Sequence, residues 1–241
     1  MSDEQTRLGA IEYAKKNKKE IARRLVDMSL YPPEDLPVSV FMAGSPGAGK
    51  TESSKKLIED KKGVDGKGIL RIDPDDIREE FRSLGYNGKN SNLFQYPTSI
   101  IADKMQDLAL HQSQSYIFDG TLANLERSRE NIKRSLHHSR IVLVLYVYQE
   151  PLQAWKFVKA RERKDGRVIP PRAFVDEYFG ARQNIAILKE EFKNQIQIDI
   201  LIKNIDGSDY DYHENIPSID RYIKEKYNTD SLLNAIMSQP I

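Results

Sequence analysis

The chain has 241 residues, enough for one large α/β domain with a sizeable core. Its 37 Lys and Arg against 36 Asp and Glu leave a net charge of +1, which gives no global pull toward nucleic acid or an anionic membrane. Without cysteine, disulfides, thiolate zinc sites and thiol nucleophiles are excluded, and a reducing, cytoplasmic setting fits. The first twenty residues lack the apolar stretch of a secretory signal, and the longest apolar run, Ile141 to Tyr148, is eight residues, far short of a membrane span.

Residues 1–30 read as an amphipathic helix, with Leu8, Ile11, Ile21, Leu25 and Met28 near one stripe and the basic run Lys15 to Arg24 as a solvated face. Pro32, Pro33 and Pro37 end it. The segment 1–36 is expected to pack against the main domain, or to act as a docking or self-inhibitory element. Val38 to Ala43 then has the length and β-branched content of a buried strand, and residues 44–51, Gly-Ser-Pro-Gly-Ala-Gly-Lys-Thr, match G-x-x-x-x-G-K-[ST] at every fixed position before a helix over Glu52 to Asp60. In this strand–loop–helix context Gly44, Ser45, Gly47, Ala48 and Gly49 turn backbone N–H groups toward a phosphate, aided by the positive end of the helix. Lys50 reaches the β- and γ-phosphates of ATP or GTP, and the Thr51 hydroxyl is placed for Mg²⁺.

Gly68 to Asp73 reads as a second strand, and Asp73-Pro-Asp-Asp76 opens a helix through Leu84, with Gly85 to Gly88 a loop. Pro97 to Gln114 is predicted helical, Ser115 to Asp119 a strand ending in a carboxylate, and Glu126 to His138 a polar-faced helix ending in two histidines that suit its dipole. Ile141 to Tyr148 is apolar on both faces, as expected of a central parallel strand. Pro151 opens a helix through Arg163, where Trp155 and Phe157 read as packing residues. A charged connector spans Arg161 to Arg167, Ala173 to Lys193 is helical, and Ile196 to Lys203 is the last strand. Asn204 at its end is a cap or an adenine contact. His213 to Tyr227 and a tail over 228–241 close the chain. Alternating strands and helices predict a three-layer α/β/α P-loop NTPase domain over 37–227 with a mostly parallel central sheet. In such sheets ligands bind at the carboxyl ends of the strands, so Asp73, Asp75, Asp119 and the P-loop share one rim.

The P-loop specifies a nucleoside triphosphate and leaves the reaction open. A guanine switch needs a late N-K-x-D; only Asn17 to Glu20 comes near, upstream of the P-loop and ending in Glu. A motor ATPase needs a Walker-B carboxylate after four apolar residues, which Tyr116 to Asp119 matches in part. A kinase needs a carboxylate for the acceptor hydroxyl and cations for the transferring phosphoryl. Asp75 can supply the first, and Arg161, Arg163 and Arg167 the second.

Four stretches in order, AGSPGAGKT at 43–51, IDPDDIR at 72–78, FDGTL at 118–122 and KARERKDGRVIPP at 159–171, resemble the zeta toxin family of P-loop kinases. The likeness runs from about Pro37 to Asn204. It implies a toxin-like enzyme that uses ATP or GTP and Mg²⁺ to phosphorylate the 3′-hydroxyl of the amino sugar of UDP-N-acetylglucosamine. It further implies Asp75 as base and orienting group, Lys50, Arg161 and Arg167 as phosphoryl stabilisers, and Asp119 and Thr121 as acceptor-site residues. A helical antitoxin, or residues 1–30 in that role, goes with the resemblance. The chain departs from the family with Asp119 where Glu is common, with Ala123-Asn124-Leu125 after that motif, and with a tight 161-to-167 arginine spacing. A kinase of another small acceptor, such as an antibiotic or nucleoside, a polynucleotide kinase and an ATP-binding regulator are the alternatives. The near-zero net charge disfavours nucleic acid.

Overall fold

The computed structural model describes residues 2–60 and 68–239; the outermost ends of the expected N-terminal helix and C-terminal tail, Met1 and 240–241, lie outside the described residues. Six strands form one sheet: β1 (Val38–Ala43), β2 (Leu70–Ile72), β3 (Tyr116–Phe118), β4 (Ile141–Tyr148), β5 (Gln197–Lys203) and β6 (Asp209–His213), in the order β2-β3-β1-β4-β5-β6. The first five are parallel, with β1 at the centre in register Val40 to Ile117 and Val40 to Leu143. Alternate β1 residues explain the layering. Phe41 and Ala43 face one core cluster, and Val40 and Met42 face another.

The first cluster is covered by α1 (Asp3–Leu25), α4 (Gln95–His111), α5 (Leu125–His137) and α7 (Pro171–Phe192), and the second by α2 (Lys50–Asp60). Between them in the chain lie α3 (Pro74–Arg78), which passes into a 3₁₀ turn over Glu79–Leu84, and α6 (Pro151–Asp165). The expected three-layer α/β/α architecture is therefore observed.

α1 is a packing helix whose buried face keeps Ile21 and Leu25 of the expected stripe and departs from it elsewhere. Ala10, Ala14, Ile21 and Ala22 are buried, whereas Leu8 and Met28 are exposed, Met28 lying beyond the helix end. Alanines let α1 approach α4 closely, so small residues outcompete the larger apolar stripe for the interface. The basic residues Lys15, Lys16, Lys19, Arg23 and Arg24 are exposed, as expected of a solvated face.

Two elements at the end of the chain correct the sequence reading. Ile196 to Lys203 is not the last strand: β6 pairs antiparallel with β5 after a turn in which Asn204 N–H donates to the Ser208 carbonyl at 2.8 Å. Its sequence, Asp-Tyr-Asp-Tyr-His, alternates polar with aromatic residues and is mostly exposed, so it lacks an apolar strand signal. Its anchors are polar. Tyr212 donates to buried Asp199, and Asp209 accepts from Lys203 at 2.5 Å and from Lys56 at 2.9 Å. The tail is also structured. α8 (Thr229–Met237) starts at an Asn228/Ser231 capping box and buries Leu232 and Ile236 against Trp155, Phe174 and Tyr178.

Candidate active site

The P-loop leaves β1 at the point where the chain's connections diverge to the two sides of the sheet, the crevice where ligands bind in open α/β folds. Two of its glycines are there for room and conformation. A Cβ on Gly44 (φ +132°) would stand 2.3 Å from the Val147 carbonyl oxygen, and one on Gly47 (φ +73°) 2.2 Å from that of Ala154. Gly44 N–H donates to the Thr121 carbonyl at 3.1 Å, which ties the loop to the segment after β3. Lys50 is buried, and its ammonium donates to the carbonyls of Gly44 (3.1 Å) and Ser45 (2.7 Å). Burial pushes the Lys50 pKa down, against the pull of Asp119 and Glu177. Thr51 follows in the first turn of α2, on the wall of the same cavity as Lys50.

The end of β2 supplies the carboxylates. Asp73 caps α3 by accepting the Asp75 N–H at 2.7 Å, with Pro74 in the first turn, and pairs with Arg71 at 2.5 Å. Burial, then the neighbouring charges of Asp119 and Asp75, push Asp73 up to about 7. This cap presents Asp75 to the cavity, where three guanidiniums meet its carboxylate. Arg78 binds Oδ1, and Arg161 (2.8 Å) and Arg167 bind Oδ2. Burial alone would raise the Asp75 pKa, but Arg167, Arg78 and Arg161 together hold it below the usual range. Asp119 is turned toward α2. Its Oδ2 accepts from Ser54 at 2.9 Å and lies 3.8 Å from Arg71.

A cavity of about 890 Å³ joins these parts, lined by Lys50, Thr51, Asp75, Asp119, Thr121 and Arg167 among others. The sequence-derived residues Gly47, Ala48, Gly49 and Arg161 also line it, while Gly44 and Ser45 act from behind through their carbonyls. The expected arginine connector divides. Arg161 and Arg163 sit on the last turns of α6, and only Arg167 follows the Gly166 cap (φ +72°). Arg163 is exposed and off the cavity wall, whereas Lys164 is on it. Phe157 packs over Gly207, where a Cβ would lie 3.6 Å from its ring, and it also lines the cavity. Asn204 is a cap: its side chain donates to Ser208 at 3.0 Å. Trp155 does pack, 5.2 Å from the Phe174 ring at 64°. The described residues of 1–30 are absent from the cavity wall.

Sequence reasoning missed Arg78, Thr98 and Glu177. Arg78 stands three residues after Asp75, a spacing that marks helical neighbours. Thr98 and Glu177 lie inside helices with no motif around them.

Among the described residues no group of three or more His, Asp or Glu side chains is arranged to hold a metal ion. A divalent cation here would rest on the Thr51 hydroxyl and on phosphate oxygens, a donor set that suits Mg²⁺. No helix among the described residues is long and apolar enough to cross a membrane.

The fold is shared with solved structures of low identity. The PezAT chromosomal toxin–antitoxin system of Streptococcus pneumoniae contains a chain 16% identical, with a TM-score of 0.66, over 93% of this chain and 98% of that one. The AvrRxo1-ORF1:AvrRxo1-ORF2 complex with sulphate ions gives 15% identity and a TM-score of 0.60 over 90% of this chain and 70% of that one. The same complex with ATP gives 15% and 0.58 over 87% and 65%. No curated protein matches the chain in sequence. The family model described as Zeta toxin matches residues 22–216, from the end of α1 past β6, and so takes in the P-loop, the Asp75 turn and the arginine-bearing connector. The chain belongs to the zeta toxin family.

Proposed function

We propose that the protein is a kinase that transfers the γ-phosphoryl group of ATP or GTP to an alcohol of a sugar nucleotide. The acceptor is the 3′-hydroxyl of the amino sugar of UDP-N-acetylglucosamine, or a close relative of it. The observation that carries the reading is that Lys50, Asp75, Arg161 and Arg167 line one cavity, with Asp75 in hydrogen-bond contact with both lid arginines. A nearby fold solved with ATP supports the nucleotide donor.

In this reading the P-loop amides hold the β-phosphate and Lys50 turns from the Gly44 and Ser45 carbonyls to the β- and γ-phosphates. The Thr51 hydroxyl would hold Mg²⁺, which would supply neutralisation of the charge that develops on the leaving nucleoside diphosphate. Asp75 accepts the proton of the acceptor hydroxyl as its oxygen bonds to the γ-phosphorus and the bond to the nucleoside diphosphate breaks. Asp75 cannot do this while Arg161 and Arg167 occupy its Oδ2. An arriving triphosphate offers those arginines bidentate oxygens of higher charge, and their transfer to phosphate uncovers the carboxylate. Donor binding thus precedes base activation. The fold is shared with a chain of a chromosomal toxin–antitoxin system, which supports an antitoxin as partner.

The test is direct. Purified protein receives ATP or GTP with Mg²⁺ and a panel of UDP-sugars, nucleosides, aminoglycosides and 5′-hydroxyl oligonucleotides. Transfer to the UDP-amino sugar, with the phosphate located at the 3′ position by NMR, is expected. Nucleotide binding without transfer to any alcohol would remove the kinase reading.

A further inference from the structure

Two side chains on helices at the cavity wall stand apart from its motifs and lack a protein partner. The first is Thr98 on α4: its side chain is 1% exposed, and Oγ1 makes no hydrogen bond among the described residues. A threonine inside a helix can return its hydroxyl to the carbonyl one turn back, and this one does not. The second is Glu177 on α7, half-buried, lining the cavity, and engaged by no hydrogen bond or ion pair among the described residues. The buried carboxylates at the strand ends are engaged, and Glu52, the other unpaired carboxylate of the wall, is exposed. Asp73 is held by Arg71, Asp75 by three arginines, and Asp119 by Ser54.

The face of α7 places Glu177. Asn184 donates to the carbonyls of Leu122 (2.9 Å) and Ala123 (2.8 Å), and Gly180 comes so close that a Cβ there would stand 3.4 Å from the Ala123 carbonyl oxygen. Glu177 precedes Gly180 by three residues and Asn184 by seven, so it shares their helical face, one turn further toward the P-loop. It therefore stands one turn beyond the contact with the 121–123 segment, on the cavity wall and within the field of Lys50 and Arg167. Burial pushes its carboxyl up, and those two cations pull it back. A buried unpaired hydroxyl and an unpaired carboxylate on the wall of one cavity are donor and acceptor groups arranged for a ligand.

We propose that Thr98 and Glu177 are acceptor-contacting residues, which hold the hydroxyl and amide groups of a polyhydroxylated acceptor beside the alcohol that reacts. The inference rests on the phosphotransfer reading and narrows its substrate class. A carboxylate at this place repels phosphodiester oxygens, so the part of the acceptor next to the reacting alcohol is uncharged and rich in hydrogen-bond donors. A sugar ring bearing an N-acyl group meets that description. The end of a polynucleotide does not.

The experiment uses the full chain and the variants Glu177→Gln, Glu177→Asp, Thr98→Val and Thr98→Ser, with MgATP saturating and UDP-N-acetylglucosamine varied. Affinity for a non-hydrolysable ATP analogue and Tm are measured in parallel. Glu177→Gln is expected to raise the acceptor KM about tenfold or more, the equivalent of one charged hydrogen bond, while nucleotide affinity stays within about twofold. Thr98→Val is expected to raise the acceptor KM by several-fold and to raise Tm as well, because it deletes a buried unpaired hydroxyl; a merely structural residue would not show that split. Thr98→Ser and Glu177→Asp should recover part of the acceptor KM. An unchanged acceptor KM in both Glu177→Gln and Thr98→Val, with wild type active, overturns this inference alone. So does a loss confined to nucleotide affinity. Wild type that phosphorylates no acceptor overturns the kinase reading and this inference with it.

Discussion

Replacing Asp75 by Asn should tighten nucleotide binding while it stops transfer. The carboxylate now competes with the triphosphate for Arg161 and Arg167, so neutralising it releases both arginines to the ligand. The two ion pairs are partly solvated, with side-chain exposures of 25% for Asp75, 49% for Arg161 and 25% for Arg167. Pairs of that exposure contribute about 0.2–1 kcal/mol each, and the less exposed Arg167 pair belongs at the upper end. Their sum, about 1–2 kcal/mol, corresponds to a Kd lower by about 5- to 30-fold. Over the same change the rate of transfer should fall by about 10²–10⁴, the usual effect of removing a general base. Calorimetric titration with a non-hydrolysable ATP analogue and Mg²⁺, beside a radiolabel transfer assay, reads both quantities. Binding that is unchanged or weaker in Asp75→Asn would show that the arginines are not held back from the phosphate by this residue. The claimed exchange of partners would then be wrong, whatever happened to the rate.

Lys50→Ala should reduce transfer by about 10²–10³ in kcat through lost neutralisation of the transferring phosphoryl, with Tm unchanged within a few degrees. Ala14→Leu places a larger side chain in the close α1–α4 contact, where Ala14 is fully buried. It should cost about 1–3 kcal/mol by urea denaturation, and an unchanged midpoint would remove α1 from the core. Asp73→Asn keeps a capping side chain and deletes a titration. Because Asp73 is raised from 3.8 to about 7, its stabilising proton is fully held below pH 4 and lost as pH rises through 7, so wild type should lose stability relative to the variant across that window, read as urea midpoints against pH. Leu232→Ala on α8, outside the cavity, should cost about 2–5 kcal/mol and raise the nucleotide Kd, measured by thermal unfolding and titration.

The loop proposed to hold the nucleotide was legible because its signal is local. A phosphate cradle needs glycines, a lysine and a hydroxyl at fixed spacing on consecutive residues, and Gly44 to Thr51 carry all of it in the sequence. Asp75 was legible as a residue, and its environment was not. Arg161 is 86 residues away and Arg167 92, and only the crossover of the sheet brings the three together. Glu177 and Thr98 were invisible for a further reason. Each sits in an ordinary amphipathic helix, and what distinguishes them is the partner they lack, a property of the folded surroundings. At the sheet edge the failure has another cause. β6 is held by ion pairs and a tyrosine–aspartate bond, so hydrophobic alternation, the signal for strands, is absent there.

The missed C-terminal elements bear on the site through the connector between α6 and α7. α6 ends at Gly166, whose N–H donates to the Glu162 carbonyl at 2.9 Å in a left-handed cap, and α7 starts at Pro171. Trp155 of α6, Phe174 and Tyr178 of α7, and Leu232 and Ile236 of α8 form one buried cluster. Both flanks of the connector are thereby braced by the same apolar contacts, and freedom is confined to the few residues between Gly166 and Pro171. Arg161 is carried by a rigid helix and its reach is set by side-chain rotamers. Arg167 lies one residue past the glycine and can follow a small backbone change. The two arginines that share Oδ2 of Asp75 are therefore unequal. On the phosphotransfer reading proposed above, Arg161 marks where the outer phosphate comes to rest and Arg167 closes on it, and the exchange from carboxylate to phosphate then requires only a short connector to move, while the P-loop, α3 and α7 keep their positions.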